Sequence, residues 1–354
     1  MQNNLTKKEI NNLYNWAKKY NIKELQTKDR KKLLSIKELT LENEYVNEKA
    51  FSYIPNEIFK LVNLKELNIK SRNLKTLPKE IGNLVNLEEL VIGSIYVCKL
   101  KNLPEEIGNL TNLKKLEIRC EKLKKIPKEI CNLTKLKEFE IGSENLEKLP
   151  DEIGNLINLE RLAVACDKLM KLPKWIGNFA KLKDIEIACD NLKELPHEIG
   201  NLTKLKYFTL WRDNLAKFPK EIMNLVNLED FRIYYGDNLR EFPKEITNFI
   251  KLKHLMLGHC DKIKKLPKEI GNLINLKRLK IESLELKEIP KEIKNLINLE
   301  NIEITWDGYA KELPNEILNF DKLENIKITK ITPSYKWAIR KIRKERKEER
   351  ISKK

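Results

Sequence analysis

Leu149-Pro150-Asp151-Glu152-Ile153-Gly154-Asn155-Leu156 is one copy of a motif that returns about every 23 residues along most of this 354-residue chain. Proline keeps the register. Twelve of the thirteen prolines hold this place: Pro55, Pro78, Pro104, Pro127, Pro150, Pro173, Pro196, Pro219, Pro243, Pro267, Pro290 and Pro314. A self-similar period of this length marks a solenoid, in which one supersecondary unit stacks on copies of itself because it cannot bury its apolar face alone. The period overrides the usual reading of such a length as two or more globular domains.

Working outward from the proline, each unit carries Leu-x-x-Leu-x-Leu, a polar pair, another Leu and then the Leu-Pro turn. In the unit that opens at Leu113, the alternation of Leu116 and Ile118 predicts a short strand with one buried face. Thirteen such segments begin at Ile36, Leu64, Leu87, Leu113, Leu136, Leu159, Leu182, Leu205, Leu228, Leu252, Leu276, Leu299 and Leu323. The proline, with φ fixed and no N–H, suits the first position of a returning helical turn. A Glu two residues later sits near the positive end of that turn, with Trp175 the exception. The Ile three after the proline, from Ile58 to Ile317, points into the core. The Asn five after it, from Asn83 to Asn319, reads as a backbone-satisfying column.

Two insertions break the period, near residues 43–50 and at Tyr96-Val97-Cys98. The flanks differ from the array. Residues 1–33 read as an N-terminal helical cap: Leu5, Ile10, Leu13, Trp16 and Ala17 have helical spacing, and Thr6 with Glu9 fits a capping box. The array spans residues 34–332. Residues 333–354 form a basic tail, in which Tyr335–Lys354 carries ten basic and three acidic side chains of a chain whose net charge is +17. Within the array Lys and Glu are mixed closely, which reads as a solvated surface.

The six cysteines include no CxxC pair, and Cys120, Cys166 and Cys189 share one column with Ser143. They read as small side chains at a strand end; a disulfide between stacked neighbours such as Cys166 and Cys189 is geometrically demanding. The N-terminal residues lack the apolar core of a secretory signal, and no run reaches the ~18 apolar residues of a membrane span. The expectation is a cytoplasmic protein.

At these motifs, from Ile36 to about Ile331, the chain resembles leucine-rich repeat proteins of the 23-residue class, the class of Ras-suppressor-like and many bacterial repeat proteins. The resemblance implies an α/β fold: a curved solenoid with a concave parallel β-sheet of about 13 short strands and short helical turns on the convex side. It also implies a scaffold for protein–protein recognition. One departure stands out. Where the family tends to place Asn, two residues before the Leu that closes the strand segment, this chain has Glu121, Glu144, Asp167, Asp190 and Asp213; asparagines one place later, such as Asn145, Asn191 and Asn238, are the candidate substitutes.

Recognition is sought where the repeat stops repeating. Most exposed strand positions hold Lys, Glu, Ser, Gly or Ala, but three adjacent strands present Tyr207, Trp211 and Arg212, then Arg232, Tyr234 and Tyr235, then His254, Met256 and His259. Trp, Tyr and Arg are enriched at interface hot spots. These nine residues are the candidate partner-binding site. The stretch Glu117, Glu138, Glu140, Asp184 and Glu186 is a second, electrostatic candidate. No Gly-rich phosphate loop, nucleophile elbow or HExxH helix occurs, and His254, His259 and Cys260 match no standard ligand spacing. The sequence reading is therefore a monomeric, non-enzymatic scaffold with a protein partner, no small-molecule substrate, no cofactor and no metal. The alternative is contact with an anionic membrane or nucleic acid through the basic tail.

Overall fold

A computed structural model of the chain describes residues 5–43, 50–93, 98–212, 214–306 and 324–330. The chain divides into two compact units, Met1–Asn191 and Leu192–Lys354.

The first unit opens with helix α1, Lys7–Lys19, whose capping box is formed as the sequence implies: Thr6 N–H donates to Glu9 Oε2 at 2.9 Å and Glu9 N–H to Thr6 Oγ1 at 3.3 Å. Its apolar stripe of Ile10, Leu13, Trp16 and Ala17 is buried. Trp16 packs on Tyr20 and on Phe51, with ring centroids 5.2 and 5.3 Å apart, so the helix covers the first repeat layer. Helix α2, Arg30–Leu34, follows, capped by Asp29. Strands β1 (Glu38–Asn43), β2 (Glu66–Ser71), β3 (Glu89–Gly93), β4 (Lys115–Arg119), β5 (Glu138–Ser143), β6 (Arg161–Cys166) and β7 (Asp184–Ala188) then pair in parallel with their chain neighbours. In the second unit β8 (Tyr207–Trp211), β9 (Asp230–Tyr234), β10 (His254–Gly258), β11 (Arg278–Glu282), β12 (Asn301–Trp306) and β13 (Asn325–Lys330) do the same.

Each strand starts two residues after the Leu or Ile that opens its segment, because the first two residues finish the turn. In the fifth repeat Leu136 N–H bonds back to the Leu133 carbonyl before Glu138 N–H joins Lys114 of the neighbouring strand segment. Along β4 and β7 burial alternates, with Leu116 and Ile118 or Ile185 and Ile187 fully buried. The returning segments are single 3₁₀ turns. Proline stands one place earlier than its spacing suggests: Pro150 is the cap, at φ −62° and ψ 144°, and its carbonyl accepts from Ile153 N–H at 3.2 Å. Its fixed φ serves an extended cap as well as a helical one. The Ile of each described turn, such as Ile58, Ile153 and Ile293, is fully buried.

Two polar ladders tie neighbouring repeats. One uses an asparagine eight residues after the proline, not the one five after it. Asn63, Asn86, Asn112, Asn158, Asn227, Asn275 and Asn298 each donate Nδ2 to a carbonyl of the preceding repeat at 2.7–2.9 Å. Where Lys replaces Asn in this column, Lys135, Lys181 and Lys251 reach back to the preceding Asn Oδ1 at 2.7 Å. Of the column five after the proline, Asn178 does bond backbone, with Nδ2 donating to the Gly154 carbonyl at 3.3 Å. The other ladder replaces the family's Asn column: Asn145 and Asn191 donate to the carbonyls of Glu121 and Asp167 at 2.9 and 2.7 Å.

Cys166 and Cys189 stay unbonded, in line with their reading as small strand-end side chains, but one disulfide forms elsewhere. Cys98 and Cys120 are bonded, with Cα atoms 4.6 Å apart, whereas Cys166 and Cys189 are free and buried. Both buried thiols are pushed up by desolvation, Cys189 to about 12. The insertion places Cys98 against the neighbouring repeat's Cys120, a meeting the regular period does not announce. Tyr96 and Val97 of that insertion, residues 44–49 of the first insertion, and the tail all lie outside the described residues.

The mixed Lys and Glu also have an order. At the residue preceding each strand, two lysines flank one glutamate: Lys65–Glu88–Lys114 at 2.8 and 2.5 Å and Lys137–Glu160–Lys183 at 3.4 and 2.6 Å in the first unit. The second unit has Lys206–Glu229–Lys253 at 2.9 and 2.7 Å. Hydrogen bonds from the flanking lysines, Lys114 foremost for Glu88 and Lys253 for Glu229, hold both carboxyls down at about 2. A carboxyl depressed in the folded state contributes stability that is present above its unfolded value near 4.5 and is lost as pH falls toward 2. Exposure and salt screening keep each contribution small. In thermal unfolding followed from pH 7 to pH 2, Glu229→Gln is expected to lower Tm slightly at neutral pH and to flatten the acid limb between pH 4.5 and 2, with the difference shrinking in 1 M salt. An acid limb identical to wild type would refute this role for the triplet.

Candidate partner-binding face

The nine candidate residues lie on β8, β9, β10 and the residues that end them, all within the second unit. Strand register arranges their side chains in rows. Tyr207, Asp230, His254 and Arg278 form one row; Thr209, Arg232, Met256 and Lys280 the next; Trp211, Tyr234 and Gly258 the third. The intervening Phe208, Leu210, Phe231, Ile233, Leu255 and Leu257 are buried, so the three rows face solvent.

Asp230 organises the first two rows. It is 6 % exposed and accepts a bidentate pair from Arg232, at 2.7 Å from Nε and 2.6 Å from Nη2. Its Oδ2 also lies 3.0 Å from His254 Nδ1. The hydrogen bonds to this carboxylate raise the Arg232 pKa above the ordinary arginine value, so the guanidinium is fixed in both charge and direction. Tyr207, beside it, is 47 % exposed, and Met256 is half-buried.

The third row is aromatic. Trp211 and Tyr234, opposite each other in register, stack with centroids 4.0 Å apart and planes 10° from parallel. The Trp211 Nε1–H is buried and meets no acceptor. An unmet buried donor costs about 1–3 kcal/mol, a cost that Trp16 and Trp175 also carry at their Nε1–H groups.

Beyond the third row the backbone departs from the other repeats. At the strand end six repeats bury a small side chain: Ser71, Cys120, Ser143, Cys166, Cys189 and Ser283 are all at most 4 % exposed. The equivalent residues here are Arg212, Tyr235 and His259, too large for that slot. Each adopts the left-handed conformation, with φ 52°, 60° and 55°, three of the four non-glycine residues with positive φ among the described residues. The turn leaves each side chain at least partly exposed, while Gly236 and Cys260, one residue later, are buried. The neighbour's carbonyl is still used: Arg212 N–H donates to Tyr234 at 2.7 Å and Tyr235 N–H to Gly258 at 2.8 Å. Tyr235 and His259 stack at 4.9 Å and 14°, and His259 Nε2 lies 3.5 Å from Glu282 Oε2. A left-handed non-glycine residue costs about 1–2 kcal/mol.

The acidic stretch of the first unit is cross-linked more than the sequence suggests. Arg119 pairs with Glu117 at 3.0 Å and Glu140 at 2.8 Å, and Arg161 pairs with Asp184 and, at 3.3 Å, with Glu186. Of the isolated tryptophans, Trp175 packs on Phe179 in its 3₁₀ turn, centroids 5.6 Å apart, and Trp306 ends β12. Among the described residues no group of three His, Cys, Asp or Glu could hold a metal ion, and no helix is long and apolar enough to cross a membrane.

Comparison with known proteins places this architecture. The model of the leucine-rich repeat region matches residues 15–142, 94–195 and 243–345. The chain belongs to the leucine-rich repeat proteins. Among solved structures it is similar to a leucine-rich repeat protein of Leptospira interrogans, with 30 % identity, 88 % of this chain and 84 % of that one covered, and a TM-score of 0.62. An internalin of Listeria monocytogenes shares the fold at 20 % identity, covering 83 % and 87 % of the two chains, with a TM-score of 0.58. So does the plant peptide hormone receptor RGFR1, at 24 % identity and a TM-score of 0.61; 85 % of this chain matches 49 % of the receptor. No curated protein matches by sequence.

The strain at Arg212 gives a direct test. Glycine adopts φ near +50° freely but loses more entropy on folding, so Arg212→Gly is expected to be neutral or stabilising by up to about 1 kcal/mol in denaturant unfolding. A loss of more than about 1 kcal/mol would mean that the arginine side chain serves the fold itself.

Proposed function

We propose that this protein is a non-catalytic recognition scaffold that binds a protein partner on the solvent face of β8 to β10, through Tyr207, Trp211, Arg212, Arg232, Tyr234, Tyr235, His254, Met256 and His259. The observation that carries the reading is the Trp211–Tyr234 stack, an ordered pair of large rings on the side of the sheet away from the core. Such anchors supply contact area at low entropic cost, since little side-chain freedom remains to be lost on binding. Arg232 is likewise held in place before any partner arrives. A receptor of the same fold is known in complex with RGF2, a precedent for ligand binding by such a solenoid rather than evidence about this chain. Binding requires no cofactor, and the protein acts as a monomer in the cytoplasm.

Affinity capture with the full chain as bait tests the proposal. Trp211→Ala with Tyr234→Ala is expected to weaken capture of a specific partner at least tenfold, about 1.4 kcal/mol or more. Removal of residues 336–354 is expected to leave capture intact. Undiminished capture by the double variant would overturn the reading. Loss of capture on truncation, with steep suppression by salt, would move the function to the basic tail.

A further inference from the structure

Resting on that reading, we infer that the partner meets this face with an acidic, extended segment: Arg212 and Arg278 take its carboxylates, and the Trp211–Tyr234 ring pair packs one of its apolar side chains. The charge of the face decides the occupant. Arg232 is committed to Asp230, and Lys280 to Glu282 and Glu303 at 2.9 and 3.3 Å. Asp230 also faces His254, and Glu282 faces His259. The carboxylates on these strands are thus each already opposed by a cation or an imidazole. Arg212 and Arg278 form no ion pair among the described residues, and both are exposed. Glu300 is close enough to feel the Arg278 charge but is itself bonded to Lys277 at 2.7 Å.

The uncommitted charge on the face is therefore cationic, and its two members sit at opposite corners. Arg278 lies in the first row, beside His254, and Arg212 lies past the third, beyond Trp211. The rings lie on the way between them, so a ligand touching all three crosses the sheet obliquely in an extended form. Guanidinium groups favour carboxylates through paired, planar hydrogen bonds. The backbone adds a second line of support. At Arg212 the chain adopts a left-handed turn in place of the small buried residue its column holds in six repeats, a conformation that sets the guanidinium at the solvent surface.

The test selects peptides from a random twelve-residue phage-displayed library on the immobilised full chain at low salt. The winners are then synthesised and titrated by fluorescence anisotropy. Selected peptides are expected to be rich in Asp and Glu and to contain an aromatic or large aliphatic residue. Their binding is expected to fall at least tenfold with Arg212→Glu and Arg278→Glu together, and to a lesser degree with Gln at both positions. Replacing the peptide's Glu by Gln is expected to weaken it similarly. Circular dichroism of each variant verifies the fold. Neutral or basic winners, or no winners, overturn the inference. If such winners still lose affinity with Trp211→Ala and Tyr234→Ala, the proposed face stands and only the acidic partner falls. Binding indifferent to both double substitutions overturns face and partner together.

Discussion

Everything in this molecule depends on a repeat of about 23 residues being unable to bury its own apolar side chains. Leu116 and Ile118 on the strand, Ile130 on the turn and Leu123 between them are fully buried only because the next repeat lies against them. Each neighbour must then present matching groups at matching heights. The Asn and Lys ladders and the Lys–Glu–Lys triplets are the polar side of the same constraint, since the backbone left between stacked repeats must find partners. Substitution is freest at exposed positions, among them the outward positions of the strands and the strand ends. That is where this chain differs from its own consensus.

The strand-end slot shows how the constraint produces a surface. In six repeats it takes Cys or Ser, whose side chains fit between layers; Ser143 and Ser283 also return a hydrogen bond, to the carbonyls of Leu123 and Ile263 at 2.7 Å each. Arg212, Tyr235 and His259 cannot enter it. The backbone turns left-handed, the layer below closes with a smaller residue where one follows, and three large polar side chains reach the surface beside a ring stack. A packing rule of the core thus sets the chemistry of the face.

Much of the fold could be read from the period alone. The strand segments, the buried Ile of the turn, the capping box at Thr6 and the packing role of Trp16 follow from local spacing and burial. The sequence reading placed proline at the first helical position, where the turn uses it as a cap, because φ restriction does not distinguish the two. It singled out the Asn five after the proline as backbone-satisfying, which Asn178 is, but did not single out the regular ladder three residues later, because both columns carry amides and only geometry separates them. The Cys98–Cys120 bond was hidden by the insertion that shifts Cys98 out of register. The left-handed ends do leave a trace in the sequence: large residues in a column that elsewhere often holds Ser or Cys and, for Tyr235 and His259, a spacing of 24 rather than 23 residues from Pro219 to Pro243 and from Pro243 to Pro267. The nine candidate residues were chosen for their types, and the structure adds how they are held: Asp230, absent from that choice, fixes two of them.

The central claim is that recognition uses the solvent side of β8 to β10 and not the turns opposite. A photo-crosslinking amino acid placed at Tyr207, and separately at Trp175 in a 3₁₀ turn, measures this most directly in the presence of cell extract. A discrete crosslinked partner is expected from position 207 and none from position 175, with the product lost on adding excess uncrosslinkable protein. A partner captured from position 175 and not from 207 would contradict the claim.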